Sequence, residues 1–357
     1  MNILRLVGAT FLGASLAACG GGGGGSSQTT NDGMAGQQPS NPVAPVAPPA
    51  PPAGPTPPAV QGLTIENFVQ VSAVAFSSSA FIFDAEGGAL IDTTIPGPVN
   101  TTAPFPCDSG SAETSLIIQN ETVTTGDSVA TTFVNCLQSF LDGGADVTNG
   151  NINVSITGAS GLVMGGSAFE LTQLVSFANF SQVETAGEFQ GTVTNAVGNV
   201  EVNITDTAVV ETASLTADSG FSLSASSDSF VFSQDSQQVT QSIDRSNNTF
   251  ELDSNSRFQL TTSIANGVFV ADNTTPYSGV IDSSLRDDEG DIILNPSSGV
   301  QTITDGNGAV ATIIATSNSS AQISLDLDNN GVPEAINTLN FTELTDIADS
   351  IAGINII

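Results

Sequence analysis

The 357-residue chain has no histidine, no lysine and no tryptophan, a single tyrosine and three cysteines. Its four basic residues are all arginine: Arg5, Arg245, Arg257 and Arg286. Each shortage excludes something. Without histidine there is no Ser-His-Asp or Cys-His nucleophilic machinery. With three cysteines and no histidine, ordinary zinc and haem sites lack their ligands. Against the four arginines stand 36 acidic residues, a formal net charge of −32 that repels nucleic acid and anionic lipid headgroups. Trp, Tyr and Arg, the side chains that dominate protein hot spots, are almost missing. The sequence assigns neither a reaction nor a ligand, and the expectation is a protein that is not an enzyme.

The first 18 residues are informative instead. Arg5 supplies a positive start, Leu6 to Leu16 an apolar stretch too short to span a bilayer, and Ala17-Ala18 a small-residue cleavage site. The segment ends in Leu16-Ala17-Ala18-Cys19, which resembles the lipobox of bacterial lipoproteins. That resemblance implies a lipidated Cys19 as the mature N-terminus. Gly20 in place of aspartate implies export to the outer membrane, on its periplasmic or its surface-exposed face. The expected partner is therefore a membrane, reached through the N-terminal lipid; a protein or surface ligand is left unspecified. Several acyl chains at ~0.8 kcal/mol per buried CH₂ anchor firmly where one chain is marginal. Cleavage removes Arg5 and no acid, so 36 acids face three arginines, a charge of −33.

Residues 19–60 read as a tether. Six glycines, Gly20 to Gly25, open it, and Pro39 to Pro58 holds ten of the 17 prolines. The glycine run favours a flexible coil and the proline run an extended spacer, on the order of 60 Å at ~3.1 Å per residue.

Residues 61–357 then form the folded part, with a possible sub-boundary where glycines cluster at 158–166. Phe68, Val71, Val74 and Ala75 fall at helical spacing and predict a helix over Asn67 to Ser77, with Thr64 or Asn67 as cap. A second short helix is expected at Thr345 to Ala352. Between them the pattern is β. Asn151 to Ile156, Val200 to Ile204, Phe250 to Leu252 and Ile323 to Leu327 alternate, the last placing Ile323, Leu325 and Leu327 on one face. Phe81-Ile82-Phe83 and Phe230-Val231-Phe232 read as strands buried on both faces. Turn signals recur at Gly87-Gly88, Asp142-Gly143-Gly144, Asn149-Gly150, Asn266-Gly267, Asp305-Gly306 and Asn330-Gly331. No long helices separate the strands, so the fold class is all-β, an antiparallel meander closing as a barrel, half-barrel or sandwich.

With Cys19 assigned to lipid, Cys107 and Cys136 pair most simply as a disulfide, as suits an exported protein. Asp326-Leu-Asp328-Asn-Asn330-Gly331 has the alternating oxygen ligands of a calcium loop, and Asp326, Asp328, Asn330 and Glu334 are the candidate ligands. In an EF-hand register the bidentate acid belongs at position 12, which is Asn337; Glu334 stands at position nine. A hairpin turning at Asn330-Gly331 explains the same residues without metal. Asp287, Asp288, Glu289 and Asp291 form a second acidic cluster, read as a solvated turn. Asp108-Ser-Gly-Ser111 and Asp218-Ser-Gly220 carry the letters of an aspartic-protease motif, in which two carboxyls share a proton. D-S-G is also a common turn tripeptide, and Phe221 replaces the hydroxyl residue in the second copy. The 19 phenylalanines suit core packing; in a barrel or half-barrel some would line a lipid-sized cavity, the alternative of a periplasmic carrier.

Pro296-Ser-Ser-Gly299, Ala321 to Leu327, Asp328 to Glu334 and Leu339-Asn-Phe341 resemble the end of proteobacterial outer-membrane lipoproteins of no assigned activity. Cys107 to Ser111 and Phe133-Val-Asn-Cys136 are similar to their N-terminal region. The resemblance implies an exported β protein and transfers no catalytic residue.

Overall fold

The computed structural model describes residues 62–80, 98–120, 123–139, 144–161, 168–186, 190–227, 230–263, 265–282, 295–317 and 319–352. The signal segment, Cys19, the tether, Phe81 to Phe83, Gly87-Gly88 and the acidic cluster at Asp287 to Asp291 lie outside these residues.

Among the described residues one helix, α1 (Phe68–Ala80), precedes a sheet of fifteen strands. In chain order these are β1 (Val99–Phe105), β2 (Ser109–Ile118), β3 (Ser128–Ser139), β4 (Ala145–Gly161), β5 (Phe169–Ala186), β6 (Val193–Asp206), β7 (Val210–Ala217) and β8 (Ser222–Ser226). They continue as β9 (Phe230–Asp244), β10 (Thr249–Thr262), β11 (Asn266–Val280), β12 (Ser298–Asp305), β13 (Val310–Ser317), β14 (Ser320–Asp326) and β15 (Ala335–Asn340). A second helix, α2 (Phe341–Ala352), closes the described chain. The all-β antiparallel meander expected from the alternation is what forms: each strand pairs with its chain neighbours, except that β8 bridges β6 and β9 while β7 also pairs with β9. Among the described residues β1 and β15 do not pair, so the sheet is open.

The helices start where local chemistry directs. Thr64 N–H donates to the Asn67 side chain at 2.8 Å, and the Phe68 N–H donates back to the Thr64 carbonyl. At α2 the reciprocal bonds are complete: Glu343 N–H to Asn340 Oδ1 at 2.6 Å and Asn340 N–H to Glu343 Oε2 at 2.9 Å. That capping box starts α2 four residues before the expected Thr345. Phe68, Val71, Val74 and Ala75 are buried as their spacing requires.

The sheet is bent. Gly110, Asn135, Gly150, Asn179 and Gly198 fall on successive strands β2 to β6, and all have positive φ. Register shifts accompany the first four, between Ser109 and Ser111, Phe133 and Cys136, Asn149 and Asn151, and Phe177 and Phe180. Each bulge bends its strand, and side by side they crease the sheet. A Cβ on Gly150 would lie 2.1 Å from the Asn179 carbonyl oxygen, so this line tolerates only glycine there. Asn149-Gly150, expected as a hairpin turn, is therefore a bulge inside β4. The correction has a plain cause, since both structures need a positive φ.

Two hydrophobic clusters result. The first takes Phe133, Ile152, Phe177, Phe180, Val202 and Leu215, among others, from one face of β1 to β9. The second joins α1 and α2 to the same face further along, through Phe258, Leu260, Phe269, Ile313, Ile323 and Leu325. Phe232, Phe258 and Phe269 lie ring to ring, and Phe76 of α1 sits between Tyr277 and Phe341. Two readings of strand faces need correction. Val231 is exposed while Phe232 is buried, so β9 has a solvent face. Leu327 is exposed because β14 ends at Asp326, leaving only Ile323 and Leu325 in the core. The glycine cluster at 158–166 begins at the end of β4, where Gly161 pairs with Phe169 in the β4–β5 hairpin.

Candidate functional site

The β14–β15 hairpin gathers the acidic loop. The strands pair from Ser320↔Asn340 to Leu325↔Ala335, and extending that register by one residue sets Asp326 opposite Glu334. Carboxylate oxygens of Asp326, Asp328 and Glu334 lie within 4.8 Å of one another, Asp326 half-buried and the other two exposed. Backbone donors hold the frame. Asn330 and Gly331 N–H donate to Asp326 at 3.1 and 2.7 Å, and Leu327 N–H donates to Glu334 at 2.7 Å. Asn329 and Gly331 take positive φ to turn the loop. The fourth candidate ligand, Asn330, lies in the same loop with its Oδ1 accepting from Val332 N–H at 2.8 Å.

The donor set suits a hard cation. Calcium takes six to eight oxygens at about 2.4 Å, so oxygens on opposite sides of one ion stand roughly 4.8 Å apart. Three carboxylates, the Asn330 amide, loop carbonyls and water would supply such a shell. The helix–loop–helix register puts Asn337 at the position of the final acid, yet here Asn337 belongs to β15. A hairpin brings Glu334 in instead, because the chain reverses on itself rather than continuing into a helix. Leu327, Val332 and Ile336 leave an apolar rim exposed on the same hairpin.

The two D-S-G aspartates are engaged by hydrogen bonds. Asp108 follows Cys107 and accepts the Ser139 N–H at 2.8 Å. Asp218 accepts Gly220 N–H at 2.9 Å and the Asn199 amide at 2.8 Å. Partial desolvation raises the Asp218 carboxyl, but these bonds, with the Asn199 and Phe221 N–H groups, outweigh it and hold it below the ordinary aspartate value. A low value keeps the group ionised, unlike a carboxyl that shares a proton. Asp218 caps its own turn after β7, and Asp108 ties the segment beside the disulfide to the end of β3.

Cys107 and Cys136 form the expected disulfide, with Cα atoms 5.3 Å apart and a sequence separation of 29. Cys136 is fully buried beside Phe133, whose ring meets Phe105 edge-on. Of the three arginines left after cleavage of the expected signal segment, two are described. Arg245 bridges Asp206 and Glu211, and Arg257 binds Asp235.

One group of residues had no signal in the sequence. Gln234, Gln237, Gln241, Ser254, Ser256, Asn273 and Gln301 are polar yet buried, on the inward face of β9 to β12. Alternation marks which positions face inward, but glutamine and serine at those positions read as solvent face. No family model, curated protein or solved structure matches this chain.

Proposed function

We propose that the chain is an exported, non-catalytic lipoprotein of the outer membrane, with a binding or structural role at the cell envelope. The observation that carries this reading is the Cys107–Cys136 disulfide, which belongs to an oxidising compartment. The Leu16-Ala17-Ala18-Cys19 ending supports the lipid anchor, and the resemblance of the disulfide and hairpin segments to outer-membrane lipoproteins supports the address. The lack of histidine and the engagement of Asp108 by the Ser139 N–H and of Asp218 by the Gly220 N–H support a role without catalysis. Labelling cells with a radioactive fatty acid tests it. The protein takes up label and fractionates with the outer membrane, and Cys19→Ser abolishes both. An unlabelled chain in the soluble fraction overturns the proposal. Protease treatment of intact cells then distinguishes surface display from the periplasmic face.

Calcium at Asp326, Asp328, Asn330 and Glu334 is the cofactor reading, favoured by the three clustered carboxylates. A ligand that binds only the folded state raises the melting temperature in proportion to RT ln(1 + [L]/Kd). Millimolar calcium raises it over chelator, and Asp326→Asn abolishes the increment. Equal melting with calcium and chelator removes calcium from the account.

A further inference from the structure

Asparagine followed by glycine is a chemically fragile pair. The glycine nitrogen, with no Cβ to crowd it, can attack the asparagine side-chain carbonyl and close a five-membered succinimide ring. The sequence holds four such pairs: Asn149-Gly150, Asn266-Gly267, Asn307-Gly308 and Asn330-Gly331. The fold treats them differently. Gly150 lies in the β4 bulge, packed so closely that a Cβ would stand 2.1 Å from the Asn179 carbonyl oxygen. Asn266 and Gly267 are paired with Thr261 and Leu260 in the β10–β11 ladder. The Gly308 N–H donates to the neutral Asp305 carbonyl at 3.2 Å.

Asn330-Gly331 is different. Both residues are exposed at the tip of the β14–β15 hairpin, outside either strand, and a Cβ on Gly331 would meet nothing within 4 Å. Three hydrogen bonds surround the atoms that would react. The Gly331 N–H donates to Asp326 Oδ2 at 2.7 Å, so a carboxylate already holds the proton that this nitrogen must lose. The Asn330 N–H donates to Asp326 Oδ1 at 3.1 Å, which fixes the same carboxylate against both residues of the pair. On the other side the Val332 N–H donates to Asn330 Oδ1 at 2.8 Å. That bond curls the side-chain amide back over the Gly331 peptide. It also sets a donor on the oxygen where negative charge develops as the ring closes.

We propose that Asn330 is a self-modification site, deamidated by attack of the Gly331 nitrogen, with Asp326 as general base and the Val332 N–H as donor to the developing oxyanion. The Gly331 N–Cγ bond forms and the Asn330 Cγ–Nδ2 bond breaks. The Gly331 proton passes by way of Asp326 to the departing nitrogen, which leaves as ammonia. Water then opens the succinimide at either carbonyl and gives aspartate or isoaspartate at position 330. Water is the one co-reactant, and the modification stands whether or not calcium binds the loop. Either product adds a carboxylate to the loop of Asp326, Asp328 and Glu334, whose oxygens already lie within 4.8 Å of one another. The hairpin thereby gains one negative charge, irreversibly, and isoaspartate also lengthens its backbone by a methylene.

Peptide mapping by mass spectrometry, on the full chain kept at neutral pH over days, reads conversion at all four pairs. A synthetic peptide of residues 324–336 gives the rate for the same sequence without the fold. Position 330 should convert first among the four, and faster in the folded chain than in the peptide. Asp326→Asn should slow it by on the order of tenfold or more, as loss of a general base does. Asp326→Glu keeps a carboxylate and should retain more of the rate than Asp326→Asn, which keeps the shape. The same hydrogen bonds could only restrain the loop, and then the signs reverse: the folded chain reacts more slowly than the peptide, and Asp326→Asn leaves the rate unchanged or raises it. Either result overturns the proposal, as does earlier conversion at another pair. A faster Asp326→Asn than Asp326→Glu would assign the effect to loop shape and overturn the general base.

Discussion

From β1 to β8 the inward phenylalanines Phe133, Phe177 and Phe180 belong to a sheet face creased along Gly110, Asn135, Gly150, Asn179 and Gly198, and stapled by Cys107–Cys136. From β9 to β15 the corresponding face is roofed by α1 and α2, and no disulfide is present among the described residues. The first region shapes its core by bending backbone, the second by adding a layer. Each method leaves a mark. Bending requires left-handed residues and glycines that approach a neighbouring strand closely. Roofing requires the helix underside to match the sheet, which α1 does through apolar residues and through the Gln237 bond to its Ser78 carbonyl.

The comparison can be broken at several points. Phe269 is fully buried in the roofed half, and Phe269→Ala should cost about 3–5 kcal/mol. Hydrogen exchange should accelerate first in β9 to β15 and the helices; equal loosening of β1 to β7 would make the two regions one cooperative unit. Removing the disulfide with Cys107→Ala and Cys136→Ala should cost roughly 3.5 kcal/mol in the chain-entropy account and act on the creased half, read by denaturant unfolding. Gly150→Ala must place a Cβ against the Asn179 carbonyl in a left-handed conformation, so about 2 kcal/mol or more is expected. A neutral Gly150→Ala would show that the crease is not rigid. Asn340→Ala removes one arm of the α2 capping box, and thermal melting should report about 1 kcal/mol.

The smallest effect is set by pH. Hydrogen bonds from Ser246 and Asn247 lower the Asp244 carboxyl, while Asp218 is lowered by its own donors despite partial desolvation. A lowered carboxyl stabilises the fold above its unfolded value near 3.8, and that contribution disappears as pH falls through the lower folded value. Carboxyl NMR titrations should place both midpoints below 3.8; a midpoint above it would remove the turn-cap role of that residue.

Much of this architecture was legible as periodicity. Phe68, Val71, Val74 and Ala75 mark the buried side of α1, and alternation marks β4, β6, β10 and β14. The crease was not legible, because Asn-Gly serves a hairpin and a bulge through the same dihedral. Thr345 was too late a start for α2, since Asn340 and Glu343 form a cap recognisable only once β15 is known to end there. In the acidic loop Asp326 and Asp328 were readable from spacing, but Glu334 joins them through strand register, a relation between segments rather than along one. The buried glutamines gave no signal at all. Composition reads polarity, and only tertiary contact shows that a polar side chain lies under a helix.

The Leu63 N–H donates to Asp305 across 242 residues of sequence, whereas nearly every strand pairs with a chain neighbour. Contacts that close small loops form early and those that close large loops form late. The meander can therefore assemble hairpin by hairpin as the chain is synthesised. α1 precedes that sheet in the chain, while most of its partners, β12, β13, β14 and α2, are made last. Until they form, its apolar side is without a seat, and a holding chaperone would have most to protect there.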